Sequence, residues 1–238
     1  MNAIEIKNLL KVYGTKKVVN SISLNVKEGS LFALLGVNGA GKTTTIRMLS
    51  GLTEISGGEA YILGKSVKND LEEVKRLINI SPQDTAVALN LTVKENLEFI
   101  ADIYNCDDKE EIKKIVEKFS LDEVLNTKAK TLSGGWQRRV SIAMALITKP
   151  KVLFLDEPTL GLDVLARREL WKIISSLKGK MTIVLTTHYM EEAENLSDSI
   201  AIMAKGEVKA CGTLEELKAL TRAKNLEEAF VKIVEGEK

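Results

Sequence analysis

Two stretches of this chain have residue types spaced for phosphate chemistry. The first is Gly36-Val37-Asn38-Gly39-Ala40-Gly41-Lys42-Thr43-Thr44. Its spacing is G-x-x-x-x-G-K-[ST], the P-loop pattern. Glycines let backbone N–H groups close around a phosphate chain, and a helix that starts there points its positive end at the charge. Lys42 adds a point cation for the outer phosphates, and Thr43 offers a hydroxyl to Mg²⁺. The second is Asp156-Glu157, at the end of the apolar run Val152-Leu153-Phe154-Leu155. Ligands gather at the carboxyl ends of strands in open α/β sheets. One acid there holds Mg²⁺, directly or through water, and the next orients the water that attacks the terminal phosphate. That makes Asp156 the expected metal residue and Glu157 the expected catalytic one, against the alternative of a strand end capped by solvated acids.

Four further features are less decisive alone. Leu132-Ser133-Gly134-Gly135-Trp136-Gln137 opens a helix with small residues, so a phosphate could approach bare N–H groups. The competing reading is an ordinary N-cap on the helix through Val140, Ile142, Ala143 and Leu146. His188 is the single histidine and follows the run Met181 to Thr187, where an imidazole could donate to a terminal phosphate. Gln83 could reach a metal or the attacking water through its side-chain oxygen. Tyr13 could stack on a base, or simply pack.

The elements around these residues follow from pattern. Leu31 to Leu35 is an apolar run of strand length, and Ile46 and Leu49 begin a helical face after Lys42. Ile4 and Ile6, then Ile22, Leu24 and Val26, alternate with polar residues and read as half-buried antiparallel strands. Glu59 to Gly64 is a strand, Asp70 to Leu77 a short helix, and Ile78 to Ile80 a strand ending before Gln83. After Asp84 the character changes. Thr92-Val93-Lys94-Glu95 is a capping box for a helix with Val93, Leu97, Ile100 and Tyr104 on its apolar side. Ile112, Ile115, Val116 and Phe119 mark another helix. Beyond these, Lys151–Leu155 and Met181–Thr186 flank a helix with Leu170, Ile173, Ile174 and Leu177, which argues a parallel sheet. Ile200 to Val208 reads as a hairpin, Thr213 caps a helix, and Leu226, Phe230 and Ile233 mark the last one.

Composition sets bounds. The chain has 238 residues, 45% hydrophobic and 28% charged, as expected of a folded domain with a sizeable core. Its 34 basic and 33 acidic residues balance to +1, which argues against binding nucleic acid through phosphate contacts. Cys106 and Cys211 form no framework, consistent with a reducing cytosol. The first residues do not read as a signal peptide, and no apolar run approaches the ~20 residues that span a bilayer. If the work involves a membrane, another chain is expected to cross it.

Together and in order, these features resemble the ATP-binding cassette (ABC) ATPases over nearly the whole chain. The P-loop lies at Gly36 to Thr43, the glutamine loop at Gln83, the signature at Leu132-Ser133-Gly134-Gly135, the acidic strand end at Asp156-Glu157, and the switch histidine at His188. Gly161-Leu162-Asp163 looks like the dimer-contacting loop, and Tyr13 falls where the family keeps its adenine-stacking aromatic. The resemblance implies an α/β fold: a P-loop NTPase core with a mainly parallel sheet and an antiparallel β subdomain (1–83 plus 149–222), an inserted α-helical subdomain (84–148), and a C-terminal helix (223–238). It implies ATP and Mg²⁺ as cofactors, with Thr43, Gln83 and Asp156 at the metal. It also implies a head-to-tail pair of cassettes, in which Ser133-Gly134-Gly135 of one subunit closes on ATP held by the other. An integral membrane permease subunit would then place the chain at the cytoplasmic face of the membrane. Leu91 to Leu97, Thr187 to Glu194 and Leu226 to Phe230 look like cassettes of prokaryotic drug-, antibiotic- or sodium-efflux transporters. Trp136 departs from the Gln or Met of many relatives and leaves the Ser-Gly-Gly core intact. A soluble ABC ATPase acting on ribosomes or DNA is the alternative, disfavoured by the single cassette and the absence of an extended heptad stretch.

Overall fold

The computed structural model describes residues 1–106 and 108–236. Residues 237 and 238 of the predicted C-terminal segment lie outside the described residues.

Two sheets organise the chain. β1 (Asn2–Tyr13) and β2 (Lys16–Lys27) form a long antiparallel hairpin around Gly14, with β-bulges that include Asn8 at φ +50°. After β3 (Leu31–Leu35) and α1 (Lys42–Leu49), β4 (Gly57–Ile62) pairs with the free edge of β1, and the two-residue β5 (Lys65–Ser66) follows. The first sheet is thus antiparallel, in the order β2-β1-β4-β5.

The second sheet continues from β3. α2 (Leu71–Leu77) leads into β6 (Ile78–Ser81). Three helices follow: α3 (Val93–Ile103), α4 (Lys109–Lys118) and, after two short 3₁₀ turns, α5 (Gly134–Leu146). Then β7 (Val152–Asp156), α6 (Val164–Ser175), β8 (Thr182–Thr187) and α7 (Met190–Leu196) alternate. β9 (Ser199–Ala204) and β10 (Glu207–Gly212) close the sheet as a hairpin, and α8 (Leu214–Thr221) and α9 (Leu226–Glu235) end the chain. The sheet order is β10-β9-β3-β8-β7-β6, parallel except for β10.

The parallel sheet is a wall between two cores. Its strands are apolar on both faces, as a covered parallel sheet requires. Because side chains alternate, Leu31, Ala33 and Leu35 of β3 face α3 to α6, while Phe32 and Leu34 face α1 and the antiparallel sheet. Leu153 and Leu155 against Phe154, and Ile183 and Leu185 against Val184, repeat this division. The strand ends are level: Leu35 pairs with Thr187, Asp156 with Thr186, and Ser81 with Leu155. The residues that follow these ends, Gly36, Glu157, His188 and Gln83, therefore meet along one edge.

The capping box of α3 forms in both directions, Thr92 Oγ1 accepting from Glu95 N and Glu95 Oε2 from Thr92 N. One expectation on this helix fails. Tyr104 does not join Val93, Leu97 and Ile100 on the inner face; it follows the last helical residue and is 55% exposed. Phe99 and Ile103 are exposed beside it, so α3 carries a second apolar stripe facing outward.

Candidate nucleotide-binding and catalytic site

The turn after β3 is built for close approach. Gly36 N donates to Thr187 O at 3.2 Å, and a Cβ on Gly36 would lie 2.4 Å from Met203 O. Gly41, at φ +103°, leaves room for Val18 O, which a Cβ would meet at 2.8 Å. Only glycine fits both places. The loop encloses a cavity of about 280 Å³ on the N-terminal end of α1, lined by Asn38 to Thr44 and closed by Val18, Gln83, Leu160, Glu157 and His188. Gly36 and Val37 shape the loop without lining the cavity. Lys42 is 5% exposed, and its Nζ donates to Gly36 O (2.7 Å) and Val37 O (3.3 Å).

The two acids divide as their positions suggest. Asp156 Oδ1 accepts from Thr43 Oγ1 at 3.0 Å and from Thr186 Oγ1 at 2.5 Å. Glu157 turns away from it because its backbone is left-handed, at φ +47°. That conformation costs a non-glycine residue about 1 kcal/mol. Two bonds from Glu157 N, to Thr186 O and Thr186 Oγ1, hold it there. The carboxylate is thereby placed between two donors: Lys42 Nζ lies 3.1 Å from Oε1, and His188 Nδ1 lies 2.8 Å from Oε2.

Arg138 ties this edge to the helical region. It is 4% exposed on α5, and burial pushes its guanidinium down to about 10, so it stays charged at neutral pH. It donates to Pro158 O (2.8 Å), Asp156 O (2.5 Å), Gln83 O (3.3 Å) and Pro82 O. One side chain thus links α5, the acidic strand end and the Gln83 loop. Sequence reading missed it, along with Val18, Leu160 and Thr186. The available signal was a charged residue two positions before the buried run from Val140.

Ser133, Gly134 and Gly135 lie elsewhere. Ser133 is the N-cap of α5, yet its side chain makes no capping bond, unlike those of Thr92, Asp163 and Thr213. Ser133 and Gly135 line a separate open cavity of about 430 Å³ with Trp136, Arg139 and Glu169. Tyr13, at the end of β1, is 51% exposed, carries Lys11 Nζ 4.8 Å from its ring centre, and is not among the residues lining the P-loop cavity. The structure therefore brings together Asn38 to Thr44, Gln83, Asp156, Glu157 and His188, and leaves Tyr13 and the Ser133 corner apart from them.

Comparison with known proteins is decisive on kinship. A family profile described as ABC transporter matches residues 19–160, more than half of the chain. The chain belongs to the ABC transporter family. The cassette is 44% identical over 217 residues to the human phospholipid-transporting ATPase ABCA3, covering 88% of this chain and 13% of that protein. It is 41% identical over 237 residues to ABC transporter A family member 9 of Arabidopsis thaliana, covering 91% of this chain and 25% of that protein. Among solved structures, an ATP-binding subunit of an ABC transporter superposes with a TM-score of 0.86 at 32% identity, covering 97% of this chain and 99% of that one. A dimeric cassette in a post-hydrolysis state, bound to ADP and Pi, matches with a TM-score of 0.78 at 28% identity, covering 89% and 98%. The P-loop NTPase fold with its mixed sheets is thus shared with cassettes of known structure.

The site's chemistry fits a nucleotide with Mg²⁺. At Gly36 and Gly41 the turn has no space for a side chain, which suits a backbone cradle around phosphate. Thr43 and Asp156 offer a hydroxyl and a carboxylate, hard oxygen donors of the kind Mg²⁺ takes. An ion that brings phosphate oxygens and water as its remaining ligands is the one such a site suits.

Proposed function

We propose that this cassette binds and hydrolyses ATP and that ATP-driven pairing with a second cassette drives transport, in the export direction, through a membrane-crossing partner. The observation that carries the reading is the placement of Glu157 between Lys42 and His188, next to the Thr43–Asp156 pair. ATP with Mg²⁺ supplies the bond that breaks and the charge to be stabilised. Lys42 and the amides of Gly39 to Thr44 would hold the phosphates, Thr43, Asp156 and Gln83 would hold the metal, and Tyr13, outside the loop cavity, would meet the base. Lys42 Nζ spends its donors on two loop carbonyls and on Glu157 Oε1. Were those Lys42 donors turned to a phosphate, Glu157 Oε1 would be left free to orient water and accept its proton. His188 holds the opposite oxygen. Phosphoryl transfer asks little beyond such positioning and charge.

The Ser133 corner lies on its own cavity, which supports its use by a partner's nucleotide rather than by this chain's. A two-fold pair would make two identical sites. Among the described residues no helix is long and apolar enough to cross a membrane. A surface for a membrane partner is available at the outer edge of the parallel sheet. There a cavity of about 550 Å³ is lined by Leu52, Arg76, Ile80 and Tyr104, with Ile103 and Phe99 exposed on the same helix end. This edge strand, β6, runs directly into the Gln83 loop. The names of two relatives specify phospholipid and glucosylceramide transport, which favours a lipid-like cargo over a small ion.

The test is hydrolysis by Glu157→Gln. Equilibrium binding of Mg-ATP should stay within about twofold of wild type while turnover falls at least ~100-fold. Lys42→Ala should instead weaken binding, by at least ~10-fold. Undiminished hydrolysis in Glu157→Gln overturns the reading.

A further inference from the structure

Three carboxylates are buried among the described residues: Asp156, Glu157 and Glu192. The first two belong to the site above. Glu192 is 0% exposed and lies on α7, four residues after His188. Its Oε1 accepts two hydrogen bonds, from Thr159 Oγ1 (2.9 Å) and Trp171 Nε1 (3.0 Å). Its Oε2 is buried without a partner of normal hydrogen-bond geometry, although Thr187 lies near enough to the carboxyl to favour its charged form. An ionised carboxylate left half-unpaired in the interior is disfavoured. Burial accordingly pushes the Glu192 carboxyl above the usual range, and the nearby Glu157 adds to the shift.

The two donors come from different elements of the fold. Thr159 lies in the turn after the acidic strand, where Leu160 N donates to Glu157 O and Leu162 N to Thr159 O. Trp171 lies on α6. That helix starts at Asp163, whose carboxylate caps Leu165 and Ala166, and Ala166 backs the Ser133 corner, 3.2 Å from where a Gly135 Cβ would sit. Arg167 of the same helix stacks near Tyr189, beside His188, and pairs with Glu191. We propose that Glu192 is a positioning residue for ATP hydrolysis: by clamping Thr159 and Trp171 on one oxygen, it makes α6, the turn after Glu157 and the start of α7 one body, so that contact at the Ser133 corner sets His188 against Glu157. This rests on the reading of the site as an ATPase.

The experiment compares Glu192→Ala with Glu192→Gln in steady-state ATP hydrolysis, each variant checked for wild-type secondary structure and melting behaviour. Glu192→Ala loses the clamp, and kcat should fall about 10-fold with KM for Mg-ATP within twofold. Glutamine keeps an oxygen for both donors, so Glu192→Gln should recover at least half of the lost rate. A folded Glu192→Ala with wild-type kcat overturns the proposal, as does a Glu192→Gln no better than alanine. Should Glu192→Ala fail to fold, Thr159→Val and Trp171→Phe each remove one donor; each should lower kcat two- to threefold at unchanged KM, and wild-type kcat in both overturns the proposal. Wild-type protein that hydrolyses no ATP would instead sink the ATPase reading itself.

Discussion

The cassette has two glycine-bearing helix starts, and they are built oppositely. At the P-loop, Gly36 and Gly41 are pressed against Met203 O and Val18 O, and the lysine that follows is buried and bonded. At the Ser133 corner, a Cβ on Gly134 would meet nothing within 4 Å, and the N-cap side chain bonds to nothing on the helix it begins. A strained turn is held only where the surroundings determine it. The first corner is therefore complete within one chain. At the second, Gly135 packs tightly against Ala166, but Gly134 sits on an open face with no neighbour that requires glycine, as the proposed use of this corner by a second cassette needs.

Alanine at each corner tests this contrast most strongly. Gly36→Ala forces its Cβ into backbone at 2.4 Å, a contact that must shift the loop. It should lower the melting temperature, with overpacking worth about 1–3 kcal/mol, and weaken Mg-ATP binding by at least ~100-fold through the displaced cradle. Gly134→Ala should leave both the melting temperature and binding by the single chain at wild-type levels. Its hydrolysis should still fall at least ~10-fold, because the methyl group stands between the helix amides and an incoming phosphate. Calorimetry, equilibrium binding and turnover on the same two proteins decide it. Gly134→Ala with full activity would erase the distinction.

The second test concerns the link between the corners. Arg138 sits five residues after Ser133 on the same helix and gathers carbonyls from the Gln83 loop and the acidic strand end. A lysine keeps the charge but cannot fork among four acceptors. Arg138→Lys should destabilise the fold by about 2–4 kcal/mol, the cost of buried carbonyls left without donors. Turnover should drop more than Mg-ATP binding does, measured by denaturation and by steady-state kinetics. Equal losses in binding and turnover would mean that Arg138 serves stability alone.

What the sequence revealed of this arrangement tracks the physics of each residue. Gly36, Asp156 and His188 each follow an apolar run, and a parallel sheet with level strand ends puts such residues along one edge whatever the strand order. The order β3-β8-β7 itself has no local signal, since it depends on long-range packing. Thr186 was invisible for that reason: its hydroxyl matters because β8 lies between β3 and β7. Arg138 and Glu192 were invisible for another. Each is a charged residue on a helix, a pattern that normally marks the solvated face, and only tertiary packing shows both to be buried. Tyr104 was misplaced because i, i+4, i+7 spacing continued past the point where the helix stops. The Ser133 corner carried an N-cap pattern, and spacing alone could not separate a cap from a binding surface.

That last ambiguity yields the finest test of the comparison. Thr92 and Ser133 occupy the same position on their helices, with the same extended backbone: φ −70°, ψ 167° for Thr92 and φ −63°, ψ 160° for Ser133. Thr92 Oγ1 accepts from Glu95 N, whereas the Ser133 side chain caps nothing. Removing a working cap costs about 1 kcal/mol, which for a domain of this size is a drop of roughly 2–4 °C in Tm. Thr92→Ala should show that drop and leave turnover within about twofold, since Thr92 lines neither corner's cavity. Ser133→Ala should melt within about 1 °C of wild type, having no cap to lose, and should lower turnover at saturating Mg-ATP. If Ser133→Ala melts as early as Thr92→Ala and turns over normally, the serine is an ordinary cap after all, and the open corner has no claim to a second molecule's nucleotide.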